Sequence, residues 1–431
     1  MAPNGGMNTQ ASPPLKMTIS LALRVFLPFA LGYFLSYLYR VVNAVIAPDL
    51  ITDMGLDAST LGLLTAAYFF TFAAFQIPLG ILLDHYGPRR IEAALLVFAA
   101  LGAALFALAP NTPMLILARG LIGFGVSACL MAAFKAYVMW FAKERLALVN
   151  GFQMMAGGLG ALAATQPVEV LLGFTDWRGV FWILAGLTLV SAAGVYFVVP
   201  DHRPLDQGTN RQPEAKLRDA LAGVKTVFTS ALFWRVAPLC VLSQAIFTSV
   251  LGLWSGPWLR DVAGFDRALA ATYLFWIAAA MVAGFFTWGL VAERLQRLWG
   301  VRPMTVAVFG IICFMVVQST IASELVLEYP TLILSAWMAF GFFATAGILP
   351  YAALSQVFPA NLAGRVNTGL NLLVFVLAFV DQWAIGAVID LWPQTASGGY
   401  ASEGYQVAFG VLLGLQVMAL VWYGARRSIR I

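Results

Sequence analysis

The sequence predicts an all-α membrane protein with twelve transmembrane helices in two pseudo-symmetric six-helix bundles. Only 10% of the 431 residues are charged and mean hydropathy is +0.84, whereas a soluble domain carries roughly a quarter charged residues. Apolar runs near the length that crosses about 30 Å of hydrocarbon recur twelve times. The longest polar stretch, 200–233, leaves six of them on either side.

The runs fall at about 21–47, 59–83, 92–110, 113–141, 147–172, 177–199, 234–258, 268–291, 303–323, 330–357, 366–390 and 404–424. Hydrocarbon offers backbone groups no water, so a spanning segment is a helix or part of a closed barrel. Barrel strands alternate apolar and polar side chains. The third run, AALLVFAALGAALFALA, does not alternate, so helices are expected. Residues 1–20 are expected to form a disordered tail, 21–199 and 234–424 the two bundles, 200–233 a linker and 425–431 a second tail. The end of the linker, 214–230, suits an amphipathic helix. The first run is too long for a signal-peptide core and lacks a small-residue cleavage site, so it is expected to be retained.

The net charge of +5 and pI near 9.1 have a topological origin, and no nucleic-acid partner is expected. Most of the 25 Lys and Arg residues lie in segments on the side of the termini, and the opposite loops hold Arg178, Arg260 and Arg267. Cytoplasmic loops carry the excess of basic residues, so both termini are expected in the cytoplasm, with the chain in a bacterial inner membrane. Cys129, Cys240 and Cys313 sit within apolar runs, without disulfide or zinc spacing. No cofactor is expected, and the working unit is expected to be a monomer.

The two halves echo one another. FAKERLALVNG at 141–151 has a counterpart in FPANLAGRVNTG at 358–369, and GFGVSA at 123–128 in GFFATA at 341–346. Gly80 and Asp84 likewise correspond to Gly289 and the pair Glu293 and Arg294. All three echoes keep their order at nearly equal offsets, as two homologous halves would.

Residues 80–90, GILLDHYGPRR, gather charge and helix breakers between two apolar runs. Gly87 and Pro88 suit a tight turn, and Arg89 and Arg90 satisfy the charge bias of that side. Asp84, one turn beyond Gly80, is not explained by a turn. A carboxylate there is favoured beside an arginine or a helix N-terminus, and Gly80 admits a close neighbour. The stretch is therefore expected to act as a latch between helices, formed in one packing and broken in another, with Glu293 and Arg294 as its counterpart.

This Gly80-x-x-x-Asp84-x-x-Gly87-x-Arg89-Arg90 pattern resembles the loop 2–3 signature of the major facilitator superfamily. Arg119 to Gly125, RGLIGFG, resembles that family's RxxxGxG, and Asp176-Trp177-Arg178 its GWR motif. The resemblance covers nearly the whole chain and implies two six-helix bundles rocking about a central cavity. Tyr37-Leu38-Tyr39-Arg40 with Ala44, Pro48 and Leu50 is similar to span 1 of organic-anion and organophosphate carriers, which implies that Arg40 contacts an anionic substrate. Val126 stands where related symporters carry a coupling glutamate, so proton coupling is not expected through that position.

Ionisable groups inside a span are costly and are functional candidates. Arg40 lies about 24 Å along the helix from Arg24 at 1.5 Å per residue. Tyr33, Tyr37 and Asn43 share its face. Tyrosine hydroxyls and a guanidinium fork suit a carboxylate or phosphate; pairing with an acid on another helix is the structural alternative. Gln153 and Gln244 are further candidates for substrate contact, each also suited to a helix–helix hydrogen bond. Arg119 fits either a brace between helices or a proton path, and Lys135 either snorkels or anchors an anion. Asp381, near the middle of span 11, is the proton-coupling candidate because desolvation favours its neutral form; an ion pair with Arg40 is the alternative. Gly256-Pro257 marks a place where span 7 can break. Trp254 and Trp258 beside it are expected in the interfacial aromatic belt rather than a gate.

These readings imply a secondary active carrier of a small organic anion, with or without protons. A proton-driven drug exporter and a non-transporting membrane sensor are the alternatives. No GxxxxGK[ST] nucleotide motif occurs. The only histidines, His85 and His202, fall in polar loops, so catalysis within the membrane is not expected.

Overall fold

A computed structural model describes residues 19–141, 143–200, 222, 225–395 and 398–426. Most of the expected tails, and of the linker with its amphipathic segment, lie outside the described residues. Among the described residues, twelve helices are long and apolar enough to cross a membrane: Ile19–Val41, Ala58–Gln76, Pro88–Leu108, Thr112–Trp140, Val149–Leu172 and Trp177–Val198 in the first half. In the second half they run Ala231–Asp261, Arg267–Trp299, Pro303–Ala322, Thr331–Leu354, Arg365–Ile389 and Ser402–Ala425. They are spans 1 to 12. Because spans alternate in direction, the starts of spans 2, 4, 6 and 8 share one face, called here the distal face; span 1 begins on the terminal face.

Local chemistry sets the helix ends. Spans 2, 4, 6 and 8 begin at Asp57, Asn111, Asp176 and Asp266, whose side chains accept the amides of Thr60, Met114, Gly179 and Leu269 at 2.8–3.0 Å. Such caps satisfy donors that the first helical turn leaves unpaired. Pro88 and Pro303 start spans 3 and 9, where proline's missing N–H costs nothing.

Several helices change geometry part way. Span 1 is interrupted at Val42 and continues as Asn43–Met54, and span 4 breaks at Ser127–Ala128. Span 7 contains a π turn at Val250–Trp254, just before the expected Gly256 break, and span 10 a 3-10 turn at Thr345–Ile348. These are the first and fourth spans of each half. Freed backbone groups at membrane depth are tolerated where they are buried in protein or line a cavity.

Spans 2 and 11 pack against each other across the halves. Gly62 makes this possible, since a Cβ there would sit 2.5 Å from the Gln382 carbonyl oxygen. Gly386 meets the Ala58 carbonyl in the same way. Further along, Phe72 and Phe375 rings lie 4.4 Å apart and Phe70 and Phe379 5.5 Å.

Candidate functional site

The middle of this seam carries a cation. The Arg40 guanidinium lies 4.5 Å from the Tyr37 ring, 5.6 Å from Phe72 and 5.9 Å from Tyr68, all in the first half. The fourth ring, Phe375 at 5.1 Å, comes from the second half. Arg40 is half-buried, and its Nε has no hydrogen-bond partner. Aromatic faces attract a cation without neutralising it, and the Nε–H of the guanidinium stays without a partner. No described acid forms an ion pair with it.

Tyr37 stands beside Arg40 as their spacing predicts, and Tyr33 meets Tyr37 edge-on at 5.2 Å. Tyr33 is buried, its hydroxyl 3.9 Å from Met154 Sδ. Asn43 does not join this group. Past the interruption at Val42 it turns to span 2 and donates to Thr65 Oγ1 at 2.8 Å. Gln153 accepts from the Tyr137 hydroxyl at 2.7 Å and donates to the Phe29 carbonyl at 3.1 Å. Gln244 donates to the Ala344 carbonyl at 2.9 Å, tying span 7 to span 10. These two amides sit in helix–helix bonds, the alternative their residue type carried.

Arg119 is fully buried, donates through Nη2 to the Tyr39 carbonyl at 2.6 Å and lies 5.3 Å from the Tyr68 ring. It braces span 4 against span 1. Asp381 is 3% exposed, and its Oδ2 has no partner. No ion pair joins it to Arg40. Its neighbour Gln382 is also buried with an unpaired side-chain amide, and the Gln382 carbonyl accepts from Trp254 Nε1 at 3.2 Å.

Trp254 and Trp258 correct the sequence expectation. Both are fully buried, with Trp254 against Gly62 of the opposite half and Trp258 5.2 Å from Trp337. An interfacial belt would place them in lipid headgroups; the π turn of span 7 turns them inward.

At the distal face, charged groups join the halves. Arg267, at the start of span 8, donates through both terminal nitrogens to the two oxygens of Asp49 at 2.7 and 2.6 Å, and through Nε to Glu169 Oε2 at 2.7 Å. Asp390 of span 11 accepts the backbone amides of Ala58 and Ser59 at 3.0 and 2.7 Å, supplying a cap to the opposite half. Outside the spans, Asp57 holds the next free amide of that helix. Its hydrogen bonds from Thr60 keep its carboxyl below the usual carboxylate range. Nothing local in the sequence marks Asp49, Glu169 and Asp390 as contacts between the halves.

On the terminal face, the positions of Gly80 and Gly289 have nothing within 4 Å of an added Cβ, and Glu293 and Arg294 are exposed. Among the described residues, no helix packs into the Gly80 notch. The Asp84 side chain lies outside the described part of the structure. Gly87 keeps φ at +80°, as the tight turn requires. Arg89 turns to span 6, donating to the Tyr196 carbonyl at 2.7 Å, and Arg90 is exposed.

A fold of membrane-crossing helices in two halves, with a half-buried cation at the seam between them, is an architecture found in a large class of membrane carriers. The chain belongs to the Major Facilitator Superfamily, whose family pattern matches residues 29–381. Among curated relatives, it is 24% identical over 277 residues to the "Probable sulfoacetate transporter SauU" of Cupriavidus necator, covering 63% of this chain and 64% of that one. The match thus spans less than two thirds of that relative's length. It is 22% identical over 375 residues to the "Probable L-galactonate transporter" of Escherichia coli K12, covering 83% and 80% of the two chains. Among solved structures, it resembles a bacterial homologue of the human lysosomal transporter Spinster, with TM-score 0.72 and 17% identity, covering 95% of this chain and 97% of that chain.

Proposed function

We propose that this protein is a secondary active transporter that moves a small organic anion by alternating access, with Arg40 as the anion contact. The observation that carries this reading is the Arg40 guanidinium at the seam, unpaired with any described acid and enclosed by rings from both halves. A carboxylate or sulfonate offers what that fork lacks, two oxygens in one plane. The names of the two relatives point the same way, since sulfoacetate and galactonate are both organic anions. Tyr33 and Tyr37 complete the contact surface.

In this reading the termini lie in the cytoplasm of a bacterial cell and the monomer is the working unit. The structure then corresponds to an inward-facing arrangement, with Arg267, Asp49, Glu169 and Asp390 closing the outer side. Asp381 carries the coupling proton: burial without a partner favours its neutral acid, and ionisation requires the seam between spans 2 and 11 to open.

Uptake of radiolabelled sulfoacetate and galactonate into proteoliposomes tests the proposal. Saturable uptake of either anion is expected, with Arg40→Ala abolishing it and Arg40→Lys recovering little, because an ammonium cannot reproduce the planar fork. Wild-type uptake in a correctly folded Arg40→Ala protein rejects the anion-site role.

A further inference from the structure

The first half holds a second buried acid, which neither the motifs nor the mechanism above uses. Glu92 lies one turn into span 3, is 0% exposed, and both carboxyl oxygens lack a hydrogen-bond partner. It faces a notch in span 1: a Cβ on Gly32 would lie 2.5 Å from Glu92 Oε1, with Leu96 and the Cys129 sulfur at 3.6 and 3.7 Å around the same point. The carboxyl thus occupies space that only a glycine leaves open, pressed against the backbone of the helix that carries Arg40.

The groups around it are committed elsewhere. On span 4, Cys129 and Tyr137 are the titratable neighbours, and the Tyr137 hydroxyl donates to Gln153. Arg119, further along span 4, is bonded to Tyr39. On Glu92's own helix, Arg89 is turned to Tyr196 of span 6 and Arg90 is exposed. Span 1 carries two cations, Arg24, exposed near its start, and Arg40, two turns beyond Gly32 and surrounded by its rings. Among the described residues, no cation pairs with Glu92.

A carboxylate sealed in this way, without counter-charge or protein donor, costs far more than the corresponding acid. In this packing Glu92 is therefore the neutral acid. Its ionisation requires span 1 to leave the notch and admit water. Gly32 and Arg40 belong to one uninterrupted helix, Ile19–Val41, so a displacement at the notch reaches the guanidinium. We propose that Glu92 is a proton-binding site of the first half, and that loss of its proton drives span 1 off span 3 and repositions Arg40. In that step the carboxyl O–H bond breaks, the proton passes to water at the terminal face, and the carboxylate keeps the electron pair. The inference deepens the transport reading, since it presumes that span 1 moves during the cycle, and it adds a proton site to Asp381.

The test needs no substrate, so it stands or falls separately from the identity of the anion. Purified protein in lipid nanodiscs is titrated by infrared spectroscopy, while spin labels on spans 1 and 3 report their separation at pH 6 and pH 9. The expected result is a protonated-carboxyl band near neutral pH from which Glu92→Gln removes one component, and a span 1–span 3 distance step with pH that Glu92→Gln abolishes and Glu92→Asp retains. Gly32→Ala, which pushes directly on the carboxyl, should shift the distance toward its high-pH value even at pH 6. A band unchanged by Glu92→Gln overturns the proposal, as does a distance that ignores pH in the wild type. If the glutamine variant does not fold, a Gly32→Ala protein with wild-type distances at both pH values overturns it equally. Absence of saturable anion uptake by the wild-type protein, with these signals intact, would count against the transport assignment alone.

Discussion

Arg267 and Asp49 face each other across the two halves, both terminal guanidinium nitrogens on both carboxylate oxygens at 2.7 and 2.6 Å. Glu169 takes the remaining Nε–H. The cation thus holds two acids of the opposite half across the distal face. The Asp390 cap on span 2 works alongside it, and both must part if that face is to open.

Arg267→Gln is expected to weaken distal closure. The pair is partly exposed, with side-chain accessibilities of 34% and 27%, so its contribution is discounted to about 1 kcal/mol. That corresponds to roughly a fivefold shift toward the distal-open state. Spin-label distances between the distal ends of spans 1 and 8 check it, and raising the salt concentration should reduce the wild-type bias in the same direction.

Gly386→Val tests the close approach of spans 2 and 11. A side chain at that position runs into the Ala58 carbonyl, and overpacking of this kind costs about 1–3 kcal/mol. The closed-to-open ratio at the distal face should fall by roughly fivefold to 160-fold, read from label distances between spans 2 and 11. An unchanged distance distribution would show that the seam yields more easily than its backbone contact implies.

Asp381→Asn should remove accumulation driven by a pH gradient while leaving counterflow exchange of the anion in place. The amide keeps the shape of the neutral acid but cannot release a proton. Retained pH-driven accumulation excludes Asp381 as the coupling group.

Asp57 supplies a pH-dependent part of stability. Its carboxyl is held below the usual range, chiefly by the Thr60 hydrogen bond, so its contribution is present above the unfolded value near pH 4 and lost as pH falls through the folded one. Asp57→Ala is expected to cost about 0.5–1 kcal/mol at neutral pH, the low end for a cap because the site is largely exposed. Thermal unfolding should show the difference between wild type and variant shrinking below pH 4.

Composition and apolar run length were enough to read the membrane class, the twelve spans and their six-and-six division, because each span must satisfy its own backbone within hydrocarbon. Helical spacing likewise brought Tyr37 beside Arg40, a contact within two turns of one helix. It failed for Asn43 once the helix broke at Val42 and changed phase. Contacts between distant spans were not legible. That Arg267 would meet Asp49 and Glu169, that Trp254 would turn inward, and that Glu92 would be sealed against Gly32 depend on helix rotation and on how the halves meet. Local pattern carries no information about either, since each of those side chains reads by itself as an ordinary residue near a span end. The sequence thus determined what crosses the membrane and which charges are exceptional; only tertiary packing decided which of them face one another.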